Sequence, residues 1–126
     1  MPNSPQEWFR QADYDMDTAR AMFDAGRYFY AAFMCHLSIE KALKGVFLSK
    51  LNEVPPRTHS LVYLLTRIGA APPLNLGRFL ARLDEASVAT RYPETLEAVQ
   101  RDFAAPRVAQ VLADGREALA WIRTLS

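Results

Sequence analysis

The longest apolar segment of the chain, residues 27 to about 51, constrains the fold more than any other feature. It contains no proline and a single glycine, Gly45, and apolar side chains cover most of its circumference when it is drawn as a helix. A helix that is apolar on most sides needs neighbouring elements to bury it. The segment therefore predicts a long helix that is either central to a bundle or shared between the bundle core and a dimer interface.

The segment before it begins with a helix-start signature. Ser4 can cap free backbone N–H groups, Pro5 suits the first helical position, and Glu7 can complete a capping box. The apolar side chains that follow recur on one helical stripe: Trp8, Ala12, Met16, Ala19 and Phe23. The pattern predicts a first helix over residues 5–25, ending before Gly26.

Prolines divide the rest of the chain, because a proline cannot continue a helix from the preceding turn. Residues 52–57 contain two prolines and are predicted as a loop, followed by a third helix that Thr58 or Ser60 can cap and that ends at Gly69. A fourth helix is expected between the Pro72-Pro73 loop and Pro93.

Residues 94–105 are ambiguous, although Leu96, Val99 and Phe103 could form a short helix, and Pro106 then opens the last helix. No alternating strand pattern, internal repeat or low-complexity tract is present. The length of 126 residues fits one domain. The sequence thus predicts an all-α, up-and-down helical bundle of about five helices, with residues 1–126 as a single domain.

Charge and composition limit the classes of partner that the sequence supports. Fifteen Lys and Arg balance fourteen Asp and Glu, which does not support nucleic acid as the main ligand. The first residues lack a secretory signal, and the uncharged apolar runs are too short to span a bilayer. We therefore expect a cytoplasmic protein without membrane contact.

Several enzyme classes lack their sequence signatures. The five glycines are scattered singly, so there is no phosphate-binding loop, and no Glu-x-x-His pair provides a di-metal site. One cysteine, Cys35, and two histidines do not support a zinc site. We expect no metal, no cofactor and no catalytic residue.

His36, Glu40 and Lys44 form a polar row on the long helix, since they are spaced four residues apart. One interpretation is structural: a Glu40–Lys44 ion pair solvates one edge of the helix, and His36 is a partly buried hydrogen-bonding residue. The other is functional: the row lines a groove or dimer interface, where Lys44 meets an anionic ligand.

The segment Arg57-Thr58-His59-Ser60 lies at the start of the third predicted helix. Free N–H groups and the helix dipole favour an anion at such a position, with Arg57 and His59 as candidate contacts. The alternative is that Thr58 or Ser60 only caps the helix and His59 packs over it.

The segment Arg91-Tyr92-Pro93 ends the fourth predicted helix. Pro93 is enough to stop the helix, whereas Arg91 and Tyr92 supply a planar cation and an aromatic hydroxyl that suit phosphate or nucleotide contact. The alternative is that Tyr92 covers the bundle end while Arg91 pairs with a nearby carboxylate.

Three segments, in this order and spacing, resemble the HEPN domain (higher eukaryotes and prokaryotes nucleotide-binding). Residues 30–45 are similar to the family's long second helix, with its aromatic-small start and Glu-Lys-Ala-Leu-Lys centre. Thr58-His59-Ser60-Leu61 resembles its Thr-His-x-Leu helix start, and Arg91-Tyr92-Pro93 its Arg-Tyr-Pro segment. The resemblance extends from about Trp8 to Trp121.

The resemblance implies a bundle of about five helices, often homodimeric, from a family frequently encoded beside a minimal nucleotidyltransferase. In such pairs, resembling toxin–antitoxin pairs, the HEPN protein is thought to bind the substrate or nucleotide, or to be the modified partner. Other HEPN proteins are metal-independent ribonucleases whose motif is an Arg followed, after four to six residues, by His. Here His36 lies nine positions after Arg27 and His59 two after Arg57, so the motif is absent.

The sequence therefore favours a non-catalytic HEPN module that binds a nucleotide-like ligand and works with a nucleotidyltransferase. Its candidate ligand contacts are Lys44, His59, Arg91 and Tyr92, with His36, Glu40 and Arg57 as secondary candidates. One alternative is a metal-independent ribonuclease with an atypical active site. Another is a purely structural dimerisation module that uses the first two helices as its interface.

Overall fold

A computed structural model describes residues 1–126 as six helices without a strand. In chain order they are α1 (Pro5–Asp24), α2 (Tyr28–Leu51), α3 (Leu61–Ile68), α4 (Leu74–Arg91), α5 (Leu96–Asp102) and α6 (Ala105–Arg123). The all-α bundle is confirmed, with one helix more than the predicted five. The additional helix is α5, which forms in the ambiguous segment because Thr95 caps it by accepting a hydrogen bond from the Ala98 N–H (3.1 Å).

Helix boundaries follow the local chemistry expected from the sequence. Ser4 accepts a hydrogen bond from the Glu7 N–H (3.2 Å) at the start of α1, and Ser60 rather than Thr58 caps α3. Gly26 lies in the turn between α1 and α2 with φ of 77°, a backbone conformation that glycine adopts without strain. This left-handed residue lets α1 and α2 form an antiparallel hairpin.

The long helix α2 is central, as its apolar circumference predicts. Helix α1 packs along one side of it, where Gly45 lets the Trp8 Cβ approach within 3.1 Å of the position that a side chain would occupy. Helix α6 packs along another side, where Gly115 leaves room for the Cys35 thiol. Helices α3, α4 and α5 also contact α2, and 27 buried apolar residues form one continuous hydrophobic core. No helix has the length and apolar character needed to cross a membrane.

Candidate functional site

The polar row on α2 lies inside the bundle. Lys44 Nζ is 3.0 Å from Glu40 Oε2, so the predicted ion pair forms, but only 3% of Glu40 and 6% of Lys44 is exposed. The ammonium group also lies 5.8 Å from the centre of the Trp8 ring. The prediction that this pair solvates an edge of the helix is wrong, because α1 and the loop before α3 cover it.

His59 connects the loop before α3 to this ion pair. Its Nδ1 lies 2.9 Å from Glu40 Oε1, so the two oxygens of one buried carboxylate contact two different cationic or potentially cationic groups. The His59 side chain is 63% exposed, and its other ring nitrogen has no partner in the protein. His59 therefore anchors the loop and also reaches the surface.

The sequence predicts that an anion binds at the start of α3, and in the structure the carboxylate of Asp84, a residue of α4, occupies this position. Its carboxylate accepts hydrogen bonds from the backbone N–H groups of Leu61 (2.9 Å) and Val62 (3.0 Å) and from the Ser60 hydroxyl (3.3 Å). The next free N–H group, of Tyr63, donates to the Ser60 hydroxyl (3.1 Å). The first turn of α3 is thus satisfied by the protein itself, which leaves no backbone donor for an external anion.

The same carboxylate contacts His36 of the polar row. His36 Nε2 is 3.0 Å from Asp84 Oδ1, and the ring is buried, not partly buried as the sequence suggested. Burial favours a raised pKa for Asp84, but hydrogen bonds from His36, Val62 and Leu61 outweigh it and hold the pKa below 3.8. Asp84 therefore stays ionised and ties α2, α3 and α4 together.

Sequence reasoning missed Asp84. A signal was present, because Asp84 follows Leu80 and Leu83 on the buried side of α4, and a carboxylate there needs donors. The N-terminus of α3 is the nearest source of unpaired N–H groups in such a bundle. Arg57, a secondary candidate, is exposed and takes part in neither this network nor any ion pair.

A different environment surrounds Arg91 at the end of α4. Its guanidinium lies 4.5 Å above the centre of the Phe33 ring, and its buried Nε and Nη2 atoms have no hydrogen-bond partner. Tyr92 is 79% exposed. The structural alternative for this segment is therefore wrong on both points: Tyr92 does not cover the bundle end, and Arg91 pairs with no carboxylate.

Arg91 and Tyr92 border a shallow depression together with Thr90 and two aromatic residues of α2, Tyr30 and Phe33. The Thr90 hydroxyl donates to the Ser87 carbonyl (3.0 Å), so its donor is already used. We name these five residues the Arg91 depression. It offers an unpaired cation between exposed aromatic rings, a combination that can hold an anionic group and a flat ring.

The sequence candidates thus fall into two separate places. His36, Glu40, Lys44 and His59 belong to one polar network at the start of α3, whereas Arg91 and Tyr92 belong to the depression. Phe33 and Lys44 are eleven residues apart on the same helix, which corresponds to about 16 Å along its axis. One small ligand does not contact Lys44 and Arg91 together.

The lone cysteine has no exposed thiol. Cys35 is buried beside α6, and its Sγ donates to the Val111 carbonyl (3.8 Å). Burial raises the pKa of the thiol to about 12, so the thiolate is scarce at neutral pH. No group of three or more His, Cys, Asp or Glu side chains is arranged to hold a metal ion.

Comparison with known proteins places this geometry in a family. No curated protein matches the chain significantly. Among solved structures, TT1696 from Thermus thermophilus is similar with a TM-score of 0.82 and 25% identity, over 99% of this chain and 100% of the other. ST0689, an archaeal HEPN homologue, shares the fold with a TM-score of 0.78 and 23% identity, over 99% and 100% of the two chains. The family model of the HEPN domain matches residues 5–124, and the chain belongs to the HEPN domain family.

Proposed function

We propose that residues 1–126 act as one non-catalytic HEPN domain that binds a nucleotide-like ligand at the Arg91 depression and works as the partner of a minimal nucleotidyltransferase. The partner role is carried over from the family resemblance. The binding role is supported by a feature of this chain: the guanidinium of Arg91 has buried donor atoms without an acceptor.

An unpaired buried donor is costly unless something satisfies it. Leaving a buried polar group without a hydrogen bond costs about 1–3 kcal/mol, and more when the group is charged. Arg91 lies on Phe33 and faces no carboxylate, so the protein provides only the ring face as a partner. Because Nε and Nη2 are shielded from solvent, the guanidinium has to turn towards the depression, where a phosphate group can accept two of its hydrogen bonds and supply the missing acceptors.

The rings beside Arg91 suit the other half of a nucleotide. Tyr30 and Tyr92 are both exposed, and both border the depression. Stacking of a base on an aromatic side chain contributes about 1–3 kcal/mol and tolerates any base, because every base has a π face. Arg91 would contact the phosphate, and Tyr92 would stack on the base.

The remaining candidates take different roles in this proposal. Lys44 is enclosed by Glu40 and Trp8, so it acts on the ligand only by holding the fold. His59 keeps an exposed ring and stays a candidate contact for a ligand or partner protein. His36 and Glu40 serve the polar network.

Calorimetry with AMP and ATP tests the binding role. Arg91→Gln removes the cation, and Arg91→Lys keeps the charge without the planar pair of donors, so we expect affinity to fall by about tenfold or more in both. Arg78→Gln is the matched control, because Arg78 is on the same helix outside the depression. Nucleotide affinity that is equal in the Arg91 and Arg78 variants, or absent from the unaltered protein, contradicts the proposal.

Co-purification tests the partner role separately. The protein would be expressed with the product of a neighbouring minimal nucleotidyltransferase gene, and light scattering of the protein alone would show whether it is the expected homodimer. We expect a stable complex of the two proteins. Asp84→Asn is the control, because it changes a side chain inside the bundle, and as long as this variant is folded it should form the complex equally well. Failure to form any complex would remove the partner role and leave nucleotide binding to stand on its own test.

The ribonuclease alternative receives less support from the geometry. His36 is buried, and its Nε2 contacts Asp84, so it does not reach a substrate. His59 is accessible, but its Nδ1 contacts Glu40, and the neighbouring Arg57 is not bound to it. Cleavage of RNA without metal that His59→Ala abolishes would overturn the non-catalytic assignment.

A further inference from the structure

A cavity separate from the Arg91 depression lies between α4 and α6, with part of α2 as its floor. Its volume is about 340 Å³, and it is lined by Phe79, Leu83, Ala86, Phe103 and Val111 among others. The space exists because Ala32 on α2 and Ala86 on α4 present only methyl groups to it. The volume is close to the lower end of the range for small-molecule pockets, which favours a ligand with one ring.

Two arginines border this apolar cavity. Arg82 on α4 and Arg107 on α6 are both exposed, and neither takes part in an ion pair with a carboxylate. The Arg107 guanidinium lies 4.4 Å above the centre of the Phe103 ring, and its Nη1 donates to the Asp102 carbonyl (2.6 Å). These contacts hold it at the rim and leave its other N–H groups without a protein acceptor.

None of the remaining polar groups of the cavity forms an ion pair with either arginine. Asp114 and Gln110 also border it, and the Gln110 amide donates to Asp114 Oδ1 (2.9 Å). Asp114 lies seven residues after Arg107 on α6, about 10 Å along the helix axis. The carboxylate therefore occupies a different part of the rim from the Arg107 cation.

We infer that the cavity between α4 and α6 binds a small carboxylate with an aromatic body, whose ring enters between Phe79 and Phe103 and whose carboxylate meets Arg82 and Arg107. The apolar lining alone would accept many rings. The two unpaired guanidinium groups select an anion, since each can donate two parallel hydrogen bonds to a carboxylate. This site is separate from the Arg91 depression and does not depend on the function proposed for it.

A titration followed by NMR tests the inference with 4-phenylbutyrate as the probe and 4-phenylbutan-1-ol as its neutral counterpart. A single-ring ligand of this size is expected to bind in roughly the millimolar range. We expect the acid to bind more tightly than the alcohol by about tenfold, because two exposed ion pairs each contribute about threefold. The inference is overturned if the two probes bind with equal affinity, or if the acid does not bind at concentrations several times above the millimolar range.

Variants locate the site. Arg82→Gln with Arg107→Gln should remove the preference for the acid, whereas Arg78→Gln and the depression variant Arg91→Gln should keep it. Ala86→Phe should abolish binding, because the new ring fills the cavity. The melting temperature of each variant shows whether it folds; if Ala86→Phe does not, the double arginine variant on the surface decides alone. Loss of the preference in the Arg78 or Arg91 variant would place the site elsewhere.

Discussion

The polar network at the start of α3 and the Arg91 depression both place charged side chains against the apolar bundle, but only the first gives its charged groups partners. Within the network, the buried His36 Nδ1 has no partner. Asp84 accepts three hydrogen bonds besides its contact with His36, and Glu40 contacts Lys44 and His59. Arg91 has buried donors and no acceptor. Charged groups that the fold pairs stabilise the fold, whereas the guanidinium of Arg91, which borders the depression without an acceptor, can contribute to ligand binding. Substitutions in the two regions should therefore change different quantities.

The largest change in stability is expected from breaking the buried ion pair of the network. Glu40→Gln leaves the Lys44 ammonium without a counter-charge inside the bundle, and removing one partner of a buried pair costs about 3–5 kcal/mol. Urea denaturation measures this loss. The double variant Glu40→Gln with Lys44→Met should recover part of it, because no unpaired charge stays buried. A loss under about 1 kcal/mol would be typical of a surface ion pair and would contradict the burial of Glu40 and Lys44.

A smaller loss is expected at the other carboxylate of the network. Asp84→Asn weakens the hydrogen bonds to the N–H groups of Leu61 and Val62 and to His36, which should cost about 2 kcal/mol. Amide hydrogen exchange gives the sharper measurement, because protection should fall first in α3. Exposed Glu85, the next residue on α4, provides the control, and Glu85→Gln should leave α3 protected. Equal loss of protection in all helices would contradict a local role for Asp84.

More of the fold than of the polar network can be predicted from the sequence. Apolar stripes, prolines and the Ser4 and Ser60 caps are local, so they identified five helices and their order. The α5 helix was ambiguous because its apolar stripe is short, and the cap at Thr95 decided it. Asp84 and His36 meet across 48 positions of sequence, a distance that no periodic pattern reports. The Arg91 depression was predicted as a segment, but its unpaired donors appear only when α2 and α4 pack together.

Acid should weaken the network in a defined direction. The pKa of Asp84 is lower in the folded protein than its ordinary value of 3.8, so the unfolded chain takes up this proton first as pH falls. The contribution of Asp84 to the free energy of unfolding is therefore complete above about pH 5 and is lost as pH falls through the folded pKa. The free energy of unfolding can be measured for the unaltered protein and for Asp84→Asn at about pH 6 and about pH 3. The difference between the two proteins should be smaller at the lower pH. A difference that stays constant between the two conditions would mean that Asp84 keeps its ordinary pKa.

The smallest change in stability is expected in the depression, and it tests the comparison most directly. Arg91→Met keeps an apolar side chain on Phe33 but loses the cation–π contact. It also removes the buried donors that have no acceptor, which offsets this loss. The free energy of unfolding should therefore change by no more than about 0.5 kcal/mol. The same variant should lose nucleotide binding. Urea denaturation and calorimetry on one preparation measure both quantities. A destabilisation as large as that of Asp84→Asn would mean that Arg91 serves the fold after all, because a group that awaits a ligand contributes little to the folded state without it.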